Sequence, residues 1–397
     1  MQHGVTDGLR RAAGGARLVG WLTTLALVAA GCSGTAAAWS RVPHVEAVLG
    51  GPGPQLMLDV AAGGPGLVAV GGDRSDDLDA AVWTSVDGRE WSRAAAEALA
   101  GPSDQVMRSV TAGGPGLVAV GDESIDSNTD AAVWTSPDGI GWSRVSSEAF
   151  GGERNQIMWG VTAGGPGLVA VGAEGFDAAV WHSSDGITWV RVPHDEANLG
   201  SEGRVVMRSV TVGGPGLVAV GAEEIGADSR AAIWTSGDGL SWSRVPNDES
   251  AFGGDGFQAM FAVTAGGPGV VAVGGEQAAE GSNAAVWVSA DGLVWSRIPH
   301  EAAAFGGDGS PVMFGVAATG DGVVAVGADP QPAEGAETVW TSQDGVTWSR
   351  VAVEGSVPDP RAGLVMFAVA ARAGGWVAVG QEVTDGDSNA AVWETAG

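Results

Sequence analysis

Residues 107–121 read Met-Arg-Ser-Val-Thr-Ala-Gly-Gly-Pro-Gly-Leu-Val-Ala-Val-Gly, and variants of this stretch recur along the chain. Gly-Gly-Pro-Gly-Leu-Val-Ala-Val-Gly stands at 63–71, 113–121, 164–172 and 213–221, with close variants at 266–274, 320–327 and 373–380. A Met precedes each copy (Met57, Met107, Met158, Met207, Met260, Met313, Met366). An Ala-Ala-Val-Trp-like run follows each, ending at Trp83, Trp134, Trp181, Trp234, Trp287, Trp340 or Trp393.

Residues 39–397 therefore hold seven repeats of about 51 residues, near the ~40–50-residue period of propeller blades. Each repeat reads as four short strands. In the second, Met107 to Thr111 alternates and is β-branched, Leu117 to Val120 is the next run, Ala131 to Ser136 the third and Trp142 to Val145 the fourth. Gly114-Pro115-Gly116 predicts a type II turn between the first two, and Asp138-Gly139 a hairpin between the last two. No helical period is legible in residues 39–397. The seventh repeat stops after its third strand, whereas Trp39-Ser40-Arg41-Val42-Pro43 is an orphan fourth strand identical to Trp242-Ser243-Arg244-Val245-Pro246. The expectation is an all-β chain forming a single seven-bladed β-propeller over 39–397. Each blade has four antiparallel strands, and the last is closed by the N-terminal strand. Closure removes the open edges of a linear array. A linear β-solenoid, the alternative, has no use for the orphan strand.

Between third and fourth strands lies a recurrent Ser-x-Asp-Gly-x-x-Trp, with Asp87, Asp138, Asp185, Asp238, Asp291 and Asp344 at its acidic position. It resembles the Asp box, or bacterial neuraminidase repeat, of sialidase-like propellers, shortened by one residue between Asp and Gly. The resemblance covers nearly all of 39–397. It implies that Asp and Ser bond the hairpin backbone while Trp covers the blade core, a structural role for all six Asp. The resemblance also implies what sialidase chemistry would need: a Tyr nucleophile, an Asp acid/base and three Arg holding a carboxylate. The chain has no Tyr, so that activity is not expected, although Arg108, Arg154, Arg204, Arg208 and Arg361 are placed near one face.

At the N-terminus, Arg10, Arg11 and Arg17 precede an apolar run from Leu18 to Ala30, followed by Gly31 and Cys32. A basic start, a short apolar stretch and small residues before a cut make a secretory signal. The run is shorter than the ~20 residues that cross a bilayer. Ala29-Ala30-Gly31-Cys32 resembles a bacterial lipobox, with Ala29 where Leu is usual. The resemblance implies a lipoprotein signal peptide at 1–31, lipidation of Cys32, a short membrane tether at 32–38, and a place on the outer face of the cytoplasmic membrane. The alternative is a secreted protein with a free thiol.

Composition narrows the function. The net charge is −28, and the 19 basic residues are all Arg. Without Lys there is no phosphate-loop lysine, Schiff base or Ser-Lys dyad. The acidity excludes nucleic acid as a partner. Acidic residues concentrate between second and third strands and between blades, on the face called the top: Asp73, Asp76, Asp77 and Asp79; Asp122, Glu123, Asp126 and Asp130; Asp385 and Asp387. They read as a solvated rim, with Ca²⁺ the alternative and no other cofactor implied. No residues are singled out as catalytic. His44, His194 and His300 follow Pro at fourth-strand ends and read as outer-rim repeats.

The position after each Met varies most: Leu58, Arg108, Trp159, Arg208, Phe261, Phe314 and Phe367. These seven either ring the channel mouth as a ligand pocket with anion clamps, or alternate into the interfaces between blades. Asp59 is the expected partner of Arg108. The reading is a monomeric, lipid-anchored, non-catalytic binding or scaffold module for a glycan, peptide or protein. The alternative is a surface glycoside hydrolase using paired top-face carboxylates.

Overall fold

The inner strand of each blade begins on the top face and descends the central channel. In blade two it is Asp104–Gly113, followed outward by Gly116–Ile125, Asn128–Ser136 and Ser143–Val145. The computed structural model describes residues 38–395 except 75–76, 96–98, 102, 126, 278–280, 307–309, 330–338, 355–362 and 385–386. Cys32, the leader read at 1–31 and the tether up to residue 37 lie outside the described residues, as do Asp76, Asp126, Asp385 and Arg361.

Five blades are separate four-stranded antiparallel sheets, and the last two share a sheet through one bridge, Ala328 to Val365. The ring closes as the repeat count requires. Trp39–Arg41 pairs antiparallel with the last strand, Trp39 opposite Thr395 and Arg41 opposite Trp393. It also pairs in parallel with Val353–Glu354 of the preceding linker. Trp39 therefore starts at the bottom end of the ring, at the level of the Ser-x-Asp-Gly-x-x-Trp hairpins.

Three features differ from the sequence expectation. The Gly-Gly-Pro-Gly turn has Gly114 and Pro115 as its central pair, since Gly113 faces Gly116 across the ladder. Gly114 has φ +56°. Positive φ at the first central residue is the type II′ sign, whose twist suits a hairpin better than type II. Helical turns are present too: Glu46–Leu49, Glu196–Leu199, Glu249–Phe252 and Ala302–Phe305, with a 3₁₀ turn at Glu148–Phe150. One turn is too short to show a period. Each buries an apolar residue, such as Leu199 or Phe305, between blades. Finally, strands run further than their apolar cores, so many acidic residues read as loops are strand ends.

The third-strand Trp organises each blade. Trp83, Trp181, Trp234, Trp287 and Trp340 are fully buried and donate Nε1–H to a backbone carbonyl of the preceding inter-blade turn, at 2.7–2.9 Å. Opposite each Trp stands the outer-strand Arg. Seven such arginines (Arg41, Arg93, Arg144, Arg191, Arg244, Arg297, Arg350) each pair with a carboxylate near the top end of the second strand of their own blade. Four of them also lie over the Trp ring, at 5.0–5.6 Å. Much of the acidic top is thus not a free rim: Asp73, Glu123, Glu174, Glu223, Glu276, Asp329 and Glu382 are internal counter-charges.

The bottom face carries the six Ser-x-Asp-Gly-x-x-Trp hairpins. In each, Ser Oγ accepts the Gly N–H at 2.8 Å, as between Ser136 and Gly139. The Asp Oδ1 accepts two successive backbone N–H groups, and the Trp Nε1–H is donated to the Gly carbonyl. These N–H bonds hold all six carboxyls below the usual range, Asp185 and Asp344 at about 2.

Candidate functional site

Every inner strand carries a β-bulge directly after its Met. Met57 faces Gly71 and Asp59 faces Val70, leaving Leu58 as the extra residue, and the same shift recurs in the other six blades. Strict alternation would have turned these residues into the blade interfaces. The extra residue breaks the alternation and re-aims the side chain. The seven Met are fully buried, while Leu58, Arg108, Trp159, Arg208, Phe261, Phe314 and Phe367 stay partly exposed and line one cavity of about 220 Å³. The bulge settles their direction in favour of the channel.

The cavity has two unlike halves. Blades five to seven contribute a run of tilted aromatic contacts, Phe261 to Phe314 at 5.5 Å and Phe314 to Phe367 at 5.8 Å, and Leu58 of blade one continues the apolar wall. Blades two to four contribute a cationic sandwich. The Arg108 and Arg208 guanidiniums lie 4.1 and 4.3 Å from the Trp159 ring centroid. Aromatic stacking stabilises two like charges that would otherwise repel.

The two arginines are not equivalent. Arg108 Nε is bonded to buried Asp122 of its own blade. That corrects the expected pairing with Asp59. The Asp59 carboxylate instead accepts the Ser109 hydroxyl at 2.8 Å and the Val110 N–H at 2.9 Å, tying blade one to blade two. Ser109 and Ser209 make the same kind of tie to Val161 and Val263. Burial pushes the Asp59 carboxyl up to about 6, against the lowering by those bonds.

Arg208 has no such partner. Of the fifteen arginines in the described residues, fourteen lie within 4.0 Å of a carboxylate, and Arg208 alone does not. Burial, with Arg204 and Arg108 nearby, pushes its guanidinium down to about 10, leaving it charged at neutral pH. Beside it, the Trp159 Nε1–H is buried without an acceptor. The site thus combines a desolvated cation and an orphan donor. Sequence reading found the position of Arg208; that it alone among the described arginines has no carboxylate within 4.0 Å, with Glu224 acting on it only from farther off, is visible only once the other fourteen are paired.

Elsewhere, His44 and His194 lie within 3.1 Å of Glu46 and Glu196 on exposed inter-blade turns. Among the described residues no three His, Cys, Asp or Glu side chains gather as a metal site.

No family model and no curated protein matches the chain. Solved structures similar to it include a sialidase of Trypanosoma rangeli bound to 2,3-difluorosialic acid (12% identity, TM-score 0.48). That match covers 90% of this chain and 59% of the sialidase, so the chain spans about three fifths of its length. Others are an exo-β-1,3-galactanase of Clostridium thermocellum (12% identity, TM-score 0.41, 89% and 82% coverage) and a Bombyx mori GH32 β-fructofuranosidase (11%, 0.36, 89% and 90%). The neighbours are thus glycoside hydrolases, at a distance that carries no chemistry across to this chain.

Proposed function

We propose that the protein is a binding module whose channel mouth takes a small anionic ligand, a carboxylic acid with an apolar body. The observation that carries this is Arg208, a partly exposed, largely desolvated guanidinium with no carboxylate within 4.0 Å, beside the unsatisfied Trp159 N–H. A desolvated charge without a close counter-ion is costly, and a ligand carboxylate would supply the missing contact through charge-assisted bonds. The ligand's apolar part would lie against Phe261, Phe314 and Phe367 across the channel. The cavity is smaller than the ~300–1,000 Å³ of drug-sized sites, which favours a compact acid. Calorimetric titration of small aromatic and aliphatic acids against their matched amides tests the reading. Acids should bind and amides should not, and Arg208→Met should abolish the difference. Equal binding of acid and amide would reject it.

A second reading, a glycoside hydrolase, has one specific support. Asp59 lines the same cavity with its carboxyl raised to about 6, the direction a general acid requires. Glycoside hydrolysis uses two carboxyl groups flanking the bond, and Asp59 is the only one among the residues lining this cavity. Turnover of fluorogenic glycosides, lost in Asp59→Asn, would favour this reading over the first.

A further inference from the structure

The bottom face has a feature that neither the hairpin chemistry nor the channel uses. At the residue after the Asp-box Gly, blades two to six present Ile140, Ile187, Leu240, Leu293 and Val346, each 43–60% exposed. An aliphatic side chain facing water once is ordinary; the same position doing so on five successive blades is a patterned surface. The hairpins fix it in place. Each of these residues donates its backbone N–H to the Asp Oδ1 at 2.8–2.9 Å, so the side chains are carried on braced tips. Val86 and Val294 stand exposed on hairpins of the same face.

The arc is open where the chain enters. Blade one has Arg89 at this position, held by Glu394 of the last strand. Beside it, in blade seven, the N-terminal strand starts at Trp39, bottom end first. Upstream in sequence are the apolar run Leu18–Ala30 and Cys32, with six residues between Cys32 and Trp39. That spacer reaches roughly 20–25 Å when fully extended.

We propose that these five aliphatic side chains form a lipid-contact surface that seats the propeller bottom-down on a bilayer. The occupant is lipid, not a second copy or another protein, because the strand that follows the sequence read as membrane-directed starts on this same face, only six residues after Cys32. The top face and the channel mouth then point away from the membrane. The proposal rests on the lipobox reading of Cys32, and the experiment separates the two.

The full chain, made in a lipidating bacterial host and reconstituted into phosphatidylcholine vesicles, is labelled through single introduced cysteines with an environment-sensitive fluorophore. Lipidated Cys32 is blocked as a thioether. Leu240→Cys probes the bottom and Phe176→Cys, an exposed position between second and third strands, probes the top. In vesicles the Leu240 label should shift to the blue and be severalfold less quenched by iodide than the Phe176 label. If the protein floats with the vesicles but both labels are equally quenched, the anchor stands and the seating is wrong. Failure to float overturns both. Protection of the Leu240 label without vesicles would assign the surface to protein contact and overturn the proposal. A variant with Ile140, Ile187 and Leu293 replaced by Ser, all on exposed tips, keeps the fold. It should still float while the Leu240 label loses its protection.

Discussion

The outer and inner rings of this propeller are built from the same repeat and obey opposite rules. On the outer strands seven arginines sit at equivalent positions, each with a carboxylate of its own blade. On the inner strands the bulged position is occupied by Leu, Arg, Trp, Arg and three Phe, and one of its two arginines has no carboxylate within 4.0 Å. A part that every blade needs is copied in every blade. A part that serves one ligand at one centre has no reason to repeat, because all seven copies face the same small volume. On the proposed reading, then, sameness in this repeat marks scaffold and departure marks the site.

The comparison is easiest to break at the scaffold. Trp83→Ala removes a fully buried indole, its bond to the Val48 carbonyl and the ring under Arg93. A loss of about 3–5 kcal/mol is expected from denaturant unfolding. Arg297→Ala should cost less, about 1–3 kcal/mol, because Glu276 keeps some contact with water after losing its partner. If either change were silent, the repeated outer contacts would be ornament and the contrast with the channel would lose its meaning.

Legibility in the sequence follows the same division. The blade count, the orphan strand and the shared seventh blade were readable because Trp39–Pro43 repeats a fourth strand word for word. The site positions were readable because they vary inside an otherwise constant frame. Their direction was not, since a bulge adds one residue without changing the residue types around it, and alternation then points the wrong way. The arginine–carboxylate pairs were hidden for another reason. Arg297 and Glu276 are 21 residues apart and meet only after the second strand extends beyond its apolar core. The short inter-blade helices gave no signal because a single turn has no period. Asp59 was misassigned to Arg108 because Asp122, on the second strand of the same blade, looked like loop.

Acidity separates the two regions with opposite signs. Asp59 titrates near 6 in the folded chain against 3.8 for an ordinary Asp. The folded state holds a proton that the unfolded state has released, so this contribution is full below about pH 4 and is lost as pH rises to about 6. Its size is about 1–3 kcal/mol once discounted for water in the channel. For Asp185 and Asp344, lowered to about 2, stability is present above the ordinary value and is lost as pH falls from about 4 toward 2. Stability measured against pH should therefore flatten between 4 and 6 in Asp59→Asn relative to the parent. The fall below pH 4 should remain. A difference curve with no feature between 4 and 6 would mean that the channel is wetter than its packing implies.

The smallest effect on stability is expected at Arg208, and it sharpens the comparison most. Arg208→Met removes a desolvated charge that no carboxylate contacts and that Glu224 offsets only from a distance, so unfolding should show no loss and a gain of up to about 1 kcal/mol. The neighbouring Arg108→Met should do the reverse and destabilise, because it strands buried Asp122. Two arginines flanking one indole would then differ in the sign of their effect on folding. Binding should rank them the other way: loss of at least about tenfold in carboxylate affinity for Arg208→Met, and a smaller loss for Arg108→Met, whose charge is already shared. Trp159→Phe should fall between, keeping an aromatic face for both guanidiniums while deleting the N–H. Thermal unfolding and calorimetric titration on the three variants read both rankings. If Arg208→Met unfolds as early as Arg108→Met, Arg208 belongs to the scaffold after all, and departure from the repeat would no longer identify the site.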